Sequence, residues 1–162
     1  MRAHKRPHIL YVEDDIDSCQ MMTVLLGTSG IDVTCTEGLS NALLVPHKGR
    51  FDLFLLDLWL HDGDGSDLCE ALRADFPNVP VVFYTGCATE RERRQGFVSG
   101  AAAYLVKPYS ELIAPTVFKL VTGHDPIFGY IHAVDPLERL GEKTRKFVNI
   151  MKGAGRTMPL SP

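Results

Sequence analysis

The amino-acid sequence predicts an α/β fold, a doubly wound, five-stranded parallel sheet with helices on both faces. Short apolar runs alternate with helix-like segments through residues 1–122, which is the pattern of such a sheet. Most of these runs are nearly continuously apolar, as strands buried on both faces are. The chain has 162 residues, 45% hydrophobic and 23% charged, which is enough for one core. This composition excludes collagen-like, low-complexity and disordered chains.

The predicted strands are His8–Val12, Ile31–Cys35, Phe51–Leu56, Val79–Tyr84 and Ala103–Val106. The second alternates apolar and polar residues, whereas the other four are apolar almost throughout. We therefore expect the second strand to lie at an edge of the sheet.

The helix boundaries follow from capping residues and prolines. Asp17 is predicted to cap the first helix, with Gln20 at the capping-box position, and Gly30 ends that helix. The third helix ends before Pro77, because a residue that precedes proline is driven out of helical geometry. Pro115 lies inside the fifth helical segment, so we expect a kink or a short helix that begins near it.

The chain is predicted to have three parts: an α/β domain over 1–122, a connection with an amphipathic C-terminal helix over 123–152, and a disordered tail over 153–162. Asp135-Pro136 begins that helix, because it combines a capping acid with proline at the first helical position. We expect the helix to pack on its own domain; docking on a partner or a short dimer seam are the alternatives. The residues after Gly123 are too few for a winged helix and carry no helix-turn-helix signature.

Charge and cysteine content narrow the class of protein further. Residues 1–122 contain 16 acidic against 11 basic side chains, so we expect no direct DNA binding. The four cysteines form no C-x-x-C pair, which favours a reducing cytoplasm over a zinc or redox site. No run of about 18 apolar residues occurs, so we expect no membrane span.

Polar side chains follow four of the predicted strands at their carboxyl ends: Glu13-Asp14-Asp15, Asp57, Thr85 and Lys107-Pro108. In a parallel α/β sheet these ends border one crevice. Clustered carboxylates repel each other unless a cation lies among them, and Mg²⁺ is the expected hard cation. One carboxylate can then attack a phosphoryl group while a hydroxyl and an ammonium group neutralise its oxygens. The acidic run alone would equally fit a solvated turn. Asp57 and Lys107, at the carboxyl ends of two other predicted strands, favour the phosphoryl-binding site.

Five sequence segments carry a resemblance to a known family: ILYVEDD at 9–15, DLFLLDL at 52–58, DGDG at 62–65, VVFYTG at 81–86 and, after Gly100, YLVKPY at 104–109. Together they resemble the receiver domain of bacterial two-component response regulators, over roughly His8 to Val121. The resemblance implies a flavodoxin-like strand order, 2-1-3-4-5. It also implies a cytoplasmic signalling switch that takes a phosphoryl group from a histidine kinase or a phosphotransfer protein.

The resemblance assigns roles to seven residues. Asp57 would be the phosphoacceptor, Asp14 a direct Mg²⁺ ligand, Glu13 an acidic partner acting through water, and the carbonyl of Trp59 the third protein ligand. Thr85 would bind the phosphoryl oxygen, Lys107 would pair with Asp57, and Tyr104 would be the aromatic ring that reports the state. The Lys107–Pro108 bond would be cis. The signal would be passed on through contacts with an unknown downstream protein. Formation of a homodimer is another way in which it could be passed on.

Two alternative functions stay open at this point. An aspartate-nucleophile phosphohydrolase of the haloacid-dehalogenase type would need a second acid two residues after Asp57. Trp59 stands at that position, so this chain lacks the general acid of such an enzyme. A receiver-like scaffold without phosphorylation is disfavoured by the complete acidic, hydroxyl and lysine set. We therefore expect that the protein is not an enzyme, except that it catalyses its own phosphorylation and dephosphorylation. His61 replaces the usual proline after the phosphorylation loop and is interpreted as a loop residue, while Trp59 and Cys87 are expected to border the pocket.

Overall fold

The structure, a computed structural model, describes residues 6–123. The strands are β1 His8–Val12, β2 Asp32–Thr36, β3 Leu53–Leu56, β4 Trp59–Leu60, β5 Gly63–Asp64, β6 Val81–Thr85 and β7 Ala103–Val106. The α-helices are α1 Ile16–Thr28, α2 Gly38–Leu44, α3 Gly65–Asp75, α4 Glu90–Val98 and α5 Ile113–Thr122. Short 3-10 helices cover Val45–Lys48 and Ser110–Leu112.

The main sheet is parallel and five-stranded, in the order β2-β1-β3-β6-β7. This is the predicted order once the small β4/β5 hairpin is left out, so the predicted fold class is confirmed. The strand predicted at an edge is β2, and its residues are only partly buried. Strands β1, β3 and β6 are almost entirely buried, because they lie inside the sheet with helices on both faces.

The core on one face of the sheet brings together side chains from β1, β3, β6 and α3. Leu10, Phe54 and Phe83 are at most 1% exposed and belong to one apolar cluster with Leu68 and Tyr104. Gly96 of α4 packs on this cluster so closely that an added Cβ would lie 3.0 Å from both Phe83 and Tyr104. Burying side chains of this size supplies about 1.5–3 kcal/mol each, which holds the strands and their carboxyl ends in register.

The first helix begins two residues earlier than predicted. Its cap is Asp15, not Asp17, and the Asp15 carboxylate accepts hydrogen bonds from the Asp17 amide and the Ser18 hydroxyl. Both acids are good capping residues. The choice is decided by where the chain leaves β1, which sets the first residue with helical geometry.

The two proline predictions are confirmed. Helix α3 ends at Asp75, before Pro77. Helix α5 is short and begins at Ile113, so Pro115 lies in its first turn, where a missing amide hydrogen removes no intrahelical bond. Gly123 ends α5 in the left-handed conformation, with φ 70°, which glycine adopts without strain.

Two features complete this part of the chain. Strands β4 and β5 form a two-stranded antiparallel hairpin directly after Asp57. Within residues 6–123, no helix combines the length and apolar content needed to span a bilayer.

The C-terminal helix predicted from Asp135 and the tail over 153–162 lie outside the described residues, so the three-part division stays a prediction.

Candidate functional site

The strand order brings the carboxyl ends of β1, β3, β6 and β7 to one edge of the sheet. Glu13 follows β1, Asp57 follows β3, Thr85 ends β6 and Lys107 follows β7. Glu13 and Asp57 are 5% and 9% exposed, although both are acidic. Buried acids of this kind require a partner.

That partner is Lys107, whose ammonium group lies between the two acids. Its Nζ is 2.5 Å from Glu13 Oε2 and 2.6 Å from Asp57 Oδ2. Burial opposes the charged form of the lysine, but the hydrogen bonds to Asp57 and Glu13 outweigh it and raise the pKa of Lys107. The lysine therefore stays charged at neutral pH. Its peptide bond to Pro108 is cis, as predicted.

Backbone amides and a buried hydroxyl fix the two carboxylates. Asp57 Oδ1 accepts from the amides of Leu58, at 2.6 Å, and Trp59, at 3.3 Å. Glu13 Oε2 accepts from the Tyr11 hydroxyl at 2.7 Å, and Glu13 Oε1 from the Asp15 amide at 3.2 Å. Burial, with the Glu13 carboxylate beside it, raises the pKa of Tyr11. Tyr11 is therefore a donor to Glu13, and sequence analysis missed it because a tyrosine inside an apolar strand is usually a core ring.

Asp14 points to a different set of partners. Its Oδ1 accepts from the Gly38 amide at 3.0 Å and the His61 ring Nδ1 at 2.9 Å, and its Oδ2 from the His61 amide at 2.5 Å. The hydrogen bond and charge of Asp14 raise the pKa of His61. Treating His61 as only a loop residue missed this contact. No sequence signal pointed to it, because the contact depends on how the connection after β3 folds back against Asp14.

Thr85, Cys87, Trp59 and Tyr104 lie along the β6 side of the site. The Thr85 hydroxyl is buried and accepts from the Cys87 amide at 3.4 Å. The Cys87 carbonyl accepts from the Tyr104 hydroxyl at 3.0 Å, and its sulfur contacts the Trp59 indole nitrogen. Burial is the main cause that raises the pKa of the Tyr104 hydroxyl and of the Cys87 thiol. Trp59 and Cys87 are therefore in contact with each other, and Cys87 is also in contact with Thr85 and Tyr104.

The acidic side chains suit Mg²⁺ in chemistry but do not yet converge on one point. Over residues 6–123, no three side chains of the His, Cys, Asp or Glu type are grouped as metal ligands. Glu13 and Asp57 meet at Lys107, whereas Asp14 faces His61. All three offer hard carboxylate oxygens, which Mg²⁺ prefers. The donors fit the ion, provided that Asp14 turns away from His61.

Comparison with known proteins identifies the family of this arrangement. The model of the response regulator receiver domain matches residues 9–114. The DNA-binding response regulator MtrA of Mycolicibacterium smegmatis is 37% identical over 122 residues, which are 74% of this chain and 53% of that protein. The probable transcriptional regulatory protein TcrX of Mycobacterium tuberculosis is 30% identical over 110 residues. The chain spans about half the length of the curated relatives that it matches.

Solved structures agree on the fold. A two-component response regulator from Clostridium difficile has 27% sequence identity and a TM-score of 0.68, over 72% of this chain and 96% of that one. The activated N-terminal receiver domain of RstA from Klebsiella pneumoniae has 30% identity and a TM-score of 0.64, over 70% and 97% of the two chains. The similarity covers nearly all of each of these two structures.

Proposed function

The chain belongs to the family of response regulator receiver domains, and from this premise we propose that it is a phosphorylation-controlled signalling switch with Asp57 as its phosphoacceptor. The donor would be the phosphohistidine of a histidine kinase or of a phosphotransfer protein, met in the cytoplasm. The geometry that supports this most directly is the buried Asp57 carboxylate held 2.6 Å from Lys107.

The chemistry is a transfer of one phosphoryl group to a carboxylate. An oxygen of Asp57 attacks the phosphorus, a new P–O bond forms, and the P–N bond to the donor histidine breaks with its electrons left on the ring nitrogen. The hydrogen bonds from Leu58 and Trp59 to Oδ1 hold the carboxylate in one orientation, which favours an in-line attack. Lys107 then balances charge on the phosphoryl oxygens.

Glu13, Asp14, Asp57 and the carbonyl of Trp59 are the groups that we propose to hold Mg²⁺. When bound, the ion neutralises the charge that develops on the phosphoryl oxygens. Glu13 already sits beside Asp57 through Lys107, and Asp14 is the adjacent residue. We propose that a side-chain rotation of Asp14 brings its carboxylate to the same ion.

Thr85 and Tyr104 are the residues that we propose to carry the signal away from Asp57. The Thr85 hydroxyl would bind the phosphoryl oxygen and give up its bond from the Cys87 amide. The Tyr104 hydroxyl, which donates to the Cys87 carbonyl, would sense that movement. The switch is then a two-state equilibrium biased by the phosphoryl group.

The output that we propose is a change in contacts with a downstream protein or a second copy of this chain. The relatives called MtrA are described as DNA-binding, and they are about twice as long as the region matched. The shared region is the receiver domain, whose acidic excess does not favour DNA. We therefore assign this region the switching role and no direct contact with DNA.

The test is intact-mass spectrometry after exposure to a small acyl phosphate donor, with and without Mg²⁺. We expect one added phosphoryl group that requires the ion and disappears in Asp57→Asn. The matched control is Asp67→Asn, an exposed acid on α3, which should gain the group as the wild type does. Size-exclusion chromatography of the same samples reports on dimer formation.

Two results would contradict the proposal. No added mass under any condition would indicate a receiver-like scaffold that works without phosphate. Continuous release of phosphate from many donor molecules per chain would indicate a hydrolase instead.

A further inference from the structure

His61 is the residue that separates Asp14 from the rest of the acidic site. It supplies two of the three hydrogen bonds that Asp14 accepts, one from its backbone amide and one from its ring. The third comes from the Gly38 amide. A carboxylate has about four lone-pair sites, so three of those on Asp14 are occupied away from Asp57.

The position of His61 is set by close packing and not by the hydrogen bonds alone. Gly38 has φ 66°, and a Cβ added to it would lie 2.7 Å from the Cε1 atom of His61. The neighbouring Asp62 accepts from the amides of Leu39 and Ser40, at 2.6 and 3.1 Å. Asp62 therefore connects the residues after β4 to the start of α2 through these hydrogen bonds. This connection places the neighbouring His61 against Asp14.

We propose that His61 is a positioning residue that holds Asp14 away from the metal position, so that Mg²⁺ binding competes with the Asp14–His61 contact. This inference rests on the proposed function, because it needs Asp14 to be a ligand. The ion requires oxygen atoms about 2.0–2.1 Å away in nearly ideal octahedral geometry, and the three hydrogen bonds from His61 and Gly38 leave Asp14 only one lone-pair site for it.

The competition has two consequences. The apparent affinity for Mg²⁺ is the intrinsic affinity multiplied by the fraction of molecules in which Asp14 is released. Because the His61 side chain is 62% exposed and that of Asp14 27%, the effect of the ring is modest, roughly two- to fivefold in the dissociation constant. In addition, occupation of the site frees the Gly38 and His61 amides, and this connects metal binding to the segment between β4 and β5.

The experiment is a Mg²⁺ titration followed by the fluorescence of Trp59, the only tryptophan in the chain. Trp59 donates its amide to Asp57, so its emission reports on the site without any phosphoryl transfer. We expect His61→Ala to bind Mg²⁺ about two- to fivefold more tightly than the wild type. His61→Asn, whose side-chain amide can still donate to Asp14, should restore the wild-type dissociation constant.

A control is available in His47, whose side chain is 57% exposed, close to the 62% of His61, and which pairs with Asp75 at 3.7 Å. His47→Ala removes one exposed histidine–aspartate contact elsewhere on the surface and should leave Mg²⁺ affinity unchanged. In two-dimensional NMR spectra of the wild type, saturating Mg²⁺ should shift the Gly38 and His61 amide resonances.

The inference is overturned if His61→Ala and the wild type have equal dissociation constants, or if the Gly38 and His61 amides do not respond to the ion. Phosphorylation of the same samples separates this failure from a failure of the proposed function. If Asp57 is phosphorylated with Mg²⁺ while His61→Ala changes nothing, only the role of His61 is wrong. If the wild type neither binds Mg²⁺ nor gains a phosphoryl group, both proposals fail.

Discussion

The indole nitrogen of Trp59 donates to the sulfur of Cys87, and this contact joins the segment after β3 to the segment after β6. Cys87 also donates its amide to Thr85 and accepts from the Tyr104 hydroxyl through its carbonyl. One residue thus contacts the proposed phosphate-binding hydroxyl, the proposed signalling ring and the side chain at the mouth of the site. Cys87 is therefore placed to influence both access to Asp57 and the position of Thr85.

We predict that Cys87→Ala shortens the lifetime of phosphorylated Asp57 roughly two- to fivefold, the effect expected from losing one partly exposed hydrogen bond. Without the sulfur contact, the indole of Trp59, already 59% exposed, is free to leave the mouth of the site and admit water. Loss of the phosphoryl mass over time measures the rate, and a red shift of Trp59 emission reports on the indole. Cys35→Ala, a partly buried cysteine on β2, is the control. An unchanged lifetime in Cys87→Ala would mean that the contact does not restrict water.

We predict that Lys107→Met lowers the free energy of unfolding at pH 7 by about 3 kcal/mol, the effect of breaking a buried ion pair. Glu13 and Asp57 would then face each other without a cation. Because the pKa of Lys107 is raised, the wild type has this stabilisation in full below the ordinary lysine value of 10.5, and loses it only as the pH rises through the higher folded-state pKa. Urea denaturation at pH 7 and above pH 10.5 should therefore give a difference that shrinks at high pH. Lys48→Met, at an exposed lysine, should change stability little, and an equal loss there would contradict the assignment.

Most of the sheet could be predicted from the sequence, because strands buried on both faces are continuous apolar runs. The placement of Asp57, Thr85 and Lys107 followed from the rule that functional groups collect at the carboxyl ends of parallel strands. The β4/β5 hairpin could not be predicted, since each of its strands has two residues and carries no periodicity. The contact of His61 with Asp14 depends on how the β3–α3 connection folds over α2, and local sequence does not encode it.

We predict that Asp62→Asn destabilises the protein at neutral pH and that the difference from the wild type closes as the pH falls. Amide hydrogen bonds from Leu39 and Ser40 lower the pKa of Asp62 to about 2, below the ordinary aspartate value of 3.8. A depressed carboxyl pKa contributes stability that is fully present above the unfolded-state value and is lost as the pH falls through the folded-state value. The two melting temperatures should therefore differ by a constant amount from pH 7 to pH 5 and converge towards pH 2. Asp67→Asn is the control, and a difference that stayed constant down to pH 2 would exclude this role for Asp62.

We predict that Gly65→Ala destabilises the protein by about 1–3 kcal/mol, as overpacking does, whereas Gly27→Ala stabilises it by about 0.5–1 kcal/mol. A Cβ at Gly65 would lie 2.3 Å from the carbonyl oxygen of Asp57 and 2.9 Å from the Cα of Leu58, and these backbone atoms cannot rotate away. A Cβ at Gly27, inside α1, meets nothing within 4 Å. Urea denaturation of both variants gives the two free energies. Because the displaced carbonyl belongs to the proposed phosphoacceptor, Gly65→Ala should also slow phosphorylation, while Gly27→Ala should not. Equal stability of the two variants would mean that the close approach of α3 to Asp57 is not required by the fold.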